Sequence, residues 1–153
     1  MVTKLFLVNG NLQKYAYLIF LALTIWREAR GESYLCKLAV AYSILNRVKR
    51  PSWWGTNIME VLFKKWQYSS LTDPKDKQLT TWPRPDSVWW ECVNAAQDAM
   101  NEEIENPVEG ADSYFDVSIS NPYWTTAARF VTQIDRIKFY DTDHDYEMSD
   151  AKD

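Results

Sequence analysis

From Tyr15 to Trp26 the chain is apolar almost without a break, and then Arg27, Glu28 and Arg30 follow at once. A run of this kind predicts a helix from about Leu12 to Arg30 that passes through the middle of a domain. It is well short of the roughly 20 residues a bilayer span needs. Gly31 predicts the stop, since glycine can take the left-handed conformation that closes a helix. Ser33 can cap a second helix running to about Arg50, along which Leu35, Leu38, Ala39, Tyr42, Leu45 and Val48 recur at three- and four-residue spacing. Asn46-Arg47 near its end reads as a structural polar pair, with a cleft-facing role as the alternative. Pro51 ends that helix, and Ser52-Trp53-Trp54-Gly55 makes a turn. Asn57 caps a short helix over Ile58–Lys64. The stretch from Lys65 to Pro74 is polar and aromatic by turns with no clean period, the kind of irregular segment that lines sites.

Trp82-Pro83-Arg84-Pro85 predicts an extended linker. Asp86 then caps a third long helix over about Ser87–Glu105, with Val88, Trp89, Cys92, Val93, Ala96, Ala99 and Met100 on one face, stopped at Asn106-Pro107. Beyond Gly110 the pattern changes to loop and short strand. Phe130-Val131 and Ile137–Tyr140 have strand composition, with Ile134-Asp135-Arg136 as the turn between them. At the front, Lys4–Val8 reads as a short strand or ordered arm with Asn9-Gly10-Asn11 as its turn. The division is residues 1–141 as one domain and 142–153 as an acidic, frayed tail.

Composition narrows the function. The chain has 153 residues, 46% of them apolar and 25% charged, with four Gly. This is the make-up of one globular domain with a proper core. A net charge of -4 leaves no electrostatic footprint for nucleic acid or an anionic membrane. With His144 as the single histidine, a His-based triad or a His-rich zinc site is excluded, and neither metal nor cofactor is expected. Cys36 and Cys92 match no metal spacing and fall on apolar helix faces, so buried free thiols are expected. Eight Trp and nine Tyr are many for this size. Flat rings fill cores, but they also stack on sugar faces. Met1–Val8 is no convincing secretion signal, so synthesis in the cytoplasm, no membrane span and a monomer are expected.

The candidate chemistry sits in Glu28-Ala29-Arg30-Gly31-Glu32. A carboxyl in the last turn of an apolar helix gains nothing from the helix dipole. Apolar neighbours also raise its pKa, and an acid held protonated near neutral pH is what general-acid catalysis needs. The plain alternative is that Glu28 pairs with Arg27 or Arg30 on a solvated helix end.

Three separated segments resemble one family in order. Ile25–Glu32 followed by Ala39-Val40-Ala41 and Ile44–Val48 is similar to the opening of the cell wall hydrolases typified by spore-cortex-lytic enzymes. Trp53-Trp54-Gly55 through Trp66-Gln67-Tyr68-Ser69 to Asp73-Pro74 resembles that family's aromatic-Gln-Phe-Ser stretch, with Tyr68 for Phe. Asn106-Pro107, Gly110–Phe115, Pro122-Tyr123-Trp124 and Ile134–Tyr140 resemble its C-terminal half. Many members carry His where Phe115 stands.

The resemblance implies a lysozyme-like α+β domain, mostly α, with three long helices and a small C-terminal β region. It implies cleavage of peptidoglycan glycan strands between N-acetylmuramic acid and N-acetylglucosamine, as a lytic transglycosylase. Carried over residue by residue, Glu28 is the catalytic acid, Gln67, Tyr68 and Ser69 line the cleft, and Tyr114 is the aromatic of the C-terminal motif. Trp66 joins them as a groove aromatic. Such chemistry needs one raised carboxylic acid to protonate the glycosidic oxygen. A hydrolytic muramidase needs a second carboxylate, for which Glu32, Asp112 and Asp116 are the alternatives. Glu32 reads as structural, holding Arg30 or a backbone amide. The rival of another class is a non-catalytic wall-binding module. A wall-degrading enzyme without a leader fits a phage endolysin released by lysis, or a virion-borne enzyme.

Overall fold

The computed structural model describes residues 11–50, 54–65 and 67–142. The expected strand at Lys4–Val8, the rings of Trp53 and Trp66, and the tail beyond Thr142 with His144 lie outside the described residues. Helix α1 spans Asn11–Ala29 and α2 spans Tyr34–Lys49. The short α3 spans Ile58–Leu62 and α4 spans Ser69–Thr72. Helix α5 covers Ser87–Met100, and 3-10 turns stand at Lys77–Thr80 and Tyr123–Thr126. Strands β1 (Ser113–Asp116), β2 (Arg129–Ile134) and β3 (Ile137–Asp141) form one antiparallel sheet in the order β1-β3-β2. The three long helices and the small C-terminal sheet are those expected.

The reason α1 is apolar nearly all round is visible in what surrounds it. It packs on α2, α3, α4 and α5, and Leu21, Ala22, Ile25, Trp26 and Ala29 are buried. Leu21, Ile25 and Ile44 are shut off from solvent altogether, and each contributes about 2 kcal/mol through burial. No helix among the described residues is long and apolar enough to cross a membrane. The caps are those the sequence named. The Ser33 hydroxyl accepts from the Cys36 amide, Asn57 accepts from Glu60, and Asp86 accepts from Trp89.

Two helix ends differ from expectation. Gly31 does not take a positive φ; among the described residues the glycines with positive φ are Gly55 and Gly110. Instead Arg30 folds back, donating from Nη1 to the Trp26 carbonyl at 3.2 Å, and its guanidinium lies over the Trp26 ring. A side-chain cation thus satisfies the open end of α1, where the dipole favours one. Helix α5 stops at Met100, five residues early, because Glu102 takes the left-handed conformation at φ 54. The amides of Glu102 and Glu103 then close on the carbonyls of Ala99 and Asp98, a Schellman ending built without glycine. The segment read as irregular, Lys65 to Pro74, contains one regular turn, α4, and a 3-10 turn at Lys77–Thr80 follows it.

In the sheet, β3 alternates inward and outward, with Ile137, Phe139 and Asp141 buried. It is hydrogen-bonded on both sides, pairing Tyr114 with Phe139 and Gln133 with Lys138. Asp135 supplies the positive φ that a tight connection from β2 to β3 requires. Across the sheet Phe115 stacks on Tyr140 and meets Trp124 edge-on, with ring centroids 5.9 and 6.1 Å apart.

Cys36 and Cys92 are free and buried, as expected. Burial pushes the Cys36 thiol up to about 12 and the Cys92 thiol up to about 11. Neither forms thiolate near neutral pH, so neither should react with iodoacetamide in the folded protein. Reductant should leave activity unchanged; inactivation by dithiothreitol would reveal a pairing that this fold does not contain.

Candidate active site

A cleft of about 480 Å³ opens where the helices meet the sheet. Its wall is made by Glu28 from the end of α1, Arg47 from the end of α2, and Trp54 from the turn before α3. Gln67, Tyr68 and Ser69 enter from the segment leading into α4. Ser113 and Tyr114 come from β1, with Trp124 and Thr142 beyond them. Gly55, at φ 127, lets the chain turn beneath Trp54; a Cβ there would stand 2.7 Å from the Glu60 side chain.

Glu28 is the penultimate residue of α1 and is half-buried at the edge of this cleft. Neither neighbouring arginine pairs with it. Arg27 turns the other way, giving hydrogen bonds to the carbonyls of Ser70, Leu79 and Thr81. Arg30 is held by the end of α1 and by Gln78. What touches the Glu28 carboxyl is the Ser70 hydroxyl, donating to Oε1 at 3.1 Å. Burial pushes the carboxyl from 4.5 up to about 7. The Ser70 bond pulls against that rise, and the negative charge of Asp76 adds to it. At neutral pH the group therefore holds a proton about half the time, as a general acid should.

The other candidate carboxylates are occupied elsewhere. Glu32 is four residues on, yet it points to the hairpin turn, where Arg136 meets Oε1 from Nη2 at 2.6 Å and from Nε at 3.0 Å. Its expected partners, Arg30 or a backbone amide, are not the ones it takes. Asp112 is wholly buried and accepts from the Ser113 hydroxyl and from both the amide and hydroxyl of Thr142. Asp116 accepts from the amide and hydroxyl of Ser118. None of the three lines the cleft.

Gln67, Tyr68, Ser69 and Tyr114 all reach the cleft wall, while Trp66 lies outside the described residues. Tyr68 is a buried ring, only 4% exposed, and burial pushes its hydroxyl up to about 12. The Ser69 hydroxyl donates to Asp76 at 2.7 Å, which ties the cleft wall to the 3-10 turn behind it. Phe115, next to Tyr114, points to the opposite face of β1 and joins the Trp124–Tyr140 cluster. A polar role at that position is absent here.

Sequence reasoning gave Arg47 too small a part. Its Nε donates to the Asp112 carbonyl at 2.6 Å, Nη1 to Gln67 Oε1 at 3.0 Å and Nη2 to the Ser113 hydroxyl at 3.3 Å. The guanidinium lies over the rings of Trp54 and Tyr68, 4.8 and 5.1 Å from their centroids. Asn46 beside it is structural, as expected, tying α2 to the carbonyls of Val108 and Ala111. Ser70, Ser113, Trp124 and Thr142 were also missed. Pro122-Tyr123-Trp124 was a visible motif; nothing in the sequence marks Thr142.

Comparison with known proteins bears on this arrangement. The profile of the Cell Wall Hydrolase family matches residues 31–140. The chain belongs to this family. Glu28 lies just ahead of the matched region. Among individual proteins, the spore cortex-lytic enzyme of Halalkalibacterium halodurans is 30% identical over 104 residues. That match covers 68% of this chain and 28% of the relative, so the chain spans little more than a quarter of that protein's length. The catalytic domain of the germination-specific lytic transglycosylase SleB from Bacillus anthracis superposes with a TM-score of 0.65 at 25% identity. The match covers 81% of this chain and 93% of that one. The SleB catalytic domain of Bacillus cereus gives 0.64 at 26% identity, over 81% and 88% of the two chains. The lysozyme-like α+β architecture expected from the sequence is the one this chain has.

Proposed function

We propose that this chain cleaves peptidoglycan glycan strands between N-acetylmuramic acid and N-acetylglucosamine as a lytic transglycosylase, with Glu28 as acid and then as base. The observation that carries the reading is that Glu28 is the one carboxyl among the described residues lining the cleft. Hydrolysis by the ordinary route needs two carboxylates flanking the bond. Intramolecular transfer needs one.

In this mechanism protonated Glu28 gives its proton to the glycosidic oxygen as the bond to the anomeric carbon breaks. The muramic-acid C6 hydroxyl then attacks that carbon and returns its proton to the Glu28 carboxylate. The strand leaves with an anhydromuramoyl end, and no water is consumed. The Ser70 hydroxyl holds the carboxyl in place through both steps. Gln67, Tyr68, Ser69 and Tyr114 bind the glycan, with Trp66 beside them in sequence. Glu32 is a structural residue that fastens the end of α1 to the hairpin through Arg136. The site of action is the bacterial cell wall.

Digestion of purified peptidoglycan in oxygen-18 water, followed by mass spectrometry of the products, tests this. Anhydromuramoyl ends without the label are expected. Reducing muramic-acid ends carrying the label overturn the transglycosylase and move the assignment to a hydrolytic muramidase. Wall binding without any cleavage reduces the chain to a binding module.

A further inference from the structure

Two buried side-chain polar atoms among the described residues have no hydrogen-bond partner, and both are tyrosine hydroxyls in the cleft wall: those of Tyr68 and Tyr114. A buried hydroxyl left unmade costs free energy, and native proteins rarely leave one without a reason. Here both belong to tyrosines that line the same cavity as Glu28. They come from different parts of the fold, the approach to α4 and strand β1, so no single local constraint explains both. Each lies within electrostatic reach of the Glu28 carboxyl, and Tyr68 within reach of Tyr114. Yet neither bonds to the other or to Glu28.

We infer that the Tyr68 and Tyr114 hydroxyls form a two-donor fork for the carbonyl oxygen of a substrate N-acetyl group, making the enzyme selective for N-acetylated over de-N-acetylated glycan. This rests on the glycan-cleaving reading of the cleft. Burial keeps both phenols protonated throughout the working pH range, so both have a proton to give. They call for an acceptor. On a strand of 2-acetamido sugars, the strongest neutral acceptor is the amide carbonyl. It is carried on the carbon next to the anomeric carbon whose bond Glu28 must reach. A fork beside the acid is therefore where that carbonyl falls. The free amine of a de-N-acetylated sugar is cationic and offers no acceptor. It would also enter a wall that already carries the Arg47 guanidinium over the Tyr68 ring. Such a loss leaves both buried hydroxyls unpaired, and sites built on hydrogen bonds reject analogues lacking the group for that reason.

The test is binding of the N-acetylglucosamine hexamer and the glucosamine hexamer to the whole chain by calorimetry, for wild type, Tyr68→Phe, Tyr114→Phe and the double variant. Wild type should favour the acetylated hexamer. Each substitution should weaken its binding roughly five- to tenfold, and the double variant should lose most of the preference. Affinity for the glucosamine hexamer should barely move. Thermal melting of each variant should be unchanged or slightly raised, because an unpaired hydroxyl is removed and the ring kept. A wild type that does not favour the acetylated hexamer, or a double variant that keeps the preference, overturns the fork. Because the readout is binding, a chain that binds selectively but cleaves nothing supports the fork and sinks only the reaction assigned to Glu28.

Discussion

Replacing Glu28 by Gln should cut turnover of purified cell walls by about 10³- to 10⁴-fold while making the folded protein more stable above neutral pH. The rate loss follows because the amide keeps the shape and can still accept from Ser70, but has no proton to give the leaving oxygen. The stability gain follows from the sign of the pKa shift. The folded carboxyl titrates at about 7, well above its ordinary 4.5. Below about pH 4.5 both folded and unfolded chains hold the proton, and there is no difference. Between about 4.5 and 7 the folded state retains a proton that the unfolded state has lost, so stability falls as pH rises. Above 7 the full penalty is present. Glu28→Gln escapes it, by about 1–3 kcal/mol after discounting for water in the open cleft. Melting curves from pH 4 to 9 should therefore coincide at the acid end and separate toward neutrality. Wild-type turnover should itself decline above pH 7 as the proton is lost. Curves for the two proteins that coincide at every pH would remove the basis for calling Glu28 a raised acid.

The second large effect is expected at Arg47. The residue is 6% exposed and gives three hydrogen bonds to partners 20 to 66 positions away, one of them the amide oxygen of Gln67 and one the hydroxyl of Ser113. Arg47→Met keeps the aliphatic stem between Trp54 and Tyr68 but leaves the Asp112 carbonyl and Gln67 unpaired. The cost should be about 3 kcal/mol, read from urea unfolding, because hydrogen bonds to a buried charge are the strong ones. Wall-clearing activity of the folded fraction should fall about a hundredfold, since Gln67, Tyr68 and Ser113 lose the group that fixes their spacing. Arg47→Lys should recover little of either. One ammonium cannot reach three acceptors that a planar fork meets together. Unfolding within 1 kcal/mol of wild type for Arg47→Met would show that the network is not what joins α2 to the cleft wall.

What the sequence revealed and what it hid divide along the range of the interactions. The caps at Ser33, Asn57 and Asp86 each depend on the amide three residues ahead, and all three were readable. So was the burial of α1, because an uninterrupted apolar run has few other places to go. Glu28 could be set at the end of that helix, and its raised pKa follows from the same run. The helix ends were harder. Arg30 closing α1 in place of Gly31, and Glu102 taking a left-handed conformation, are choices made by packing against a local preference. The Glu32–Arg136 pair joins residues 104 positions apart, so no local pattern could show it. Arg47 misled for a related reason. Its neighbour Asn46 is purely structural, and only the arrival of Gln67 and Ser113 makes Arg47 part of a cleft.

The strand order has a consequence for synthesis. β3 is last in sequence of the three strands but central in the sheet, so β1 has no sheet partner until β3 exists. Ser113 and Tyr114 on β1, together with Thr142 just past β3, make one side of the cleft. A chain emerging from the ribosome N-terminus first therefore delivers Glu28 early, on a helix that can already pack, and completes the wall facing it only after residue 142 is free. The Glu28 carboxyl is thus in place well before the wall opposite it, and the cleft closes only when β3 has paired with β1.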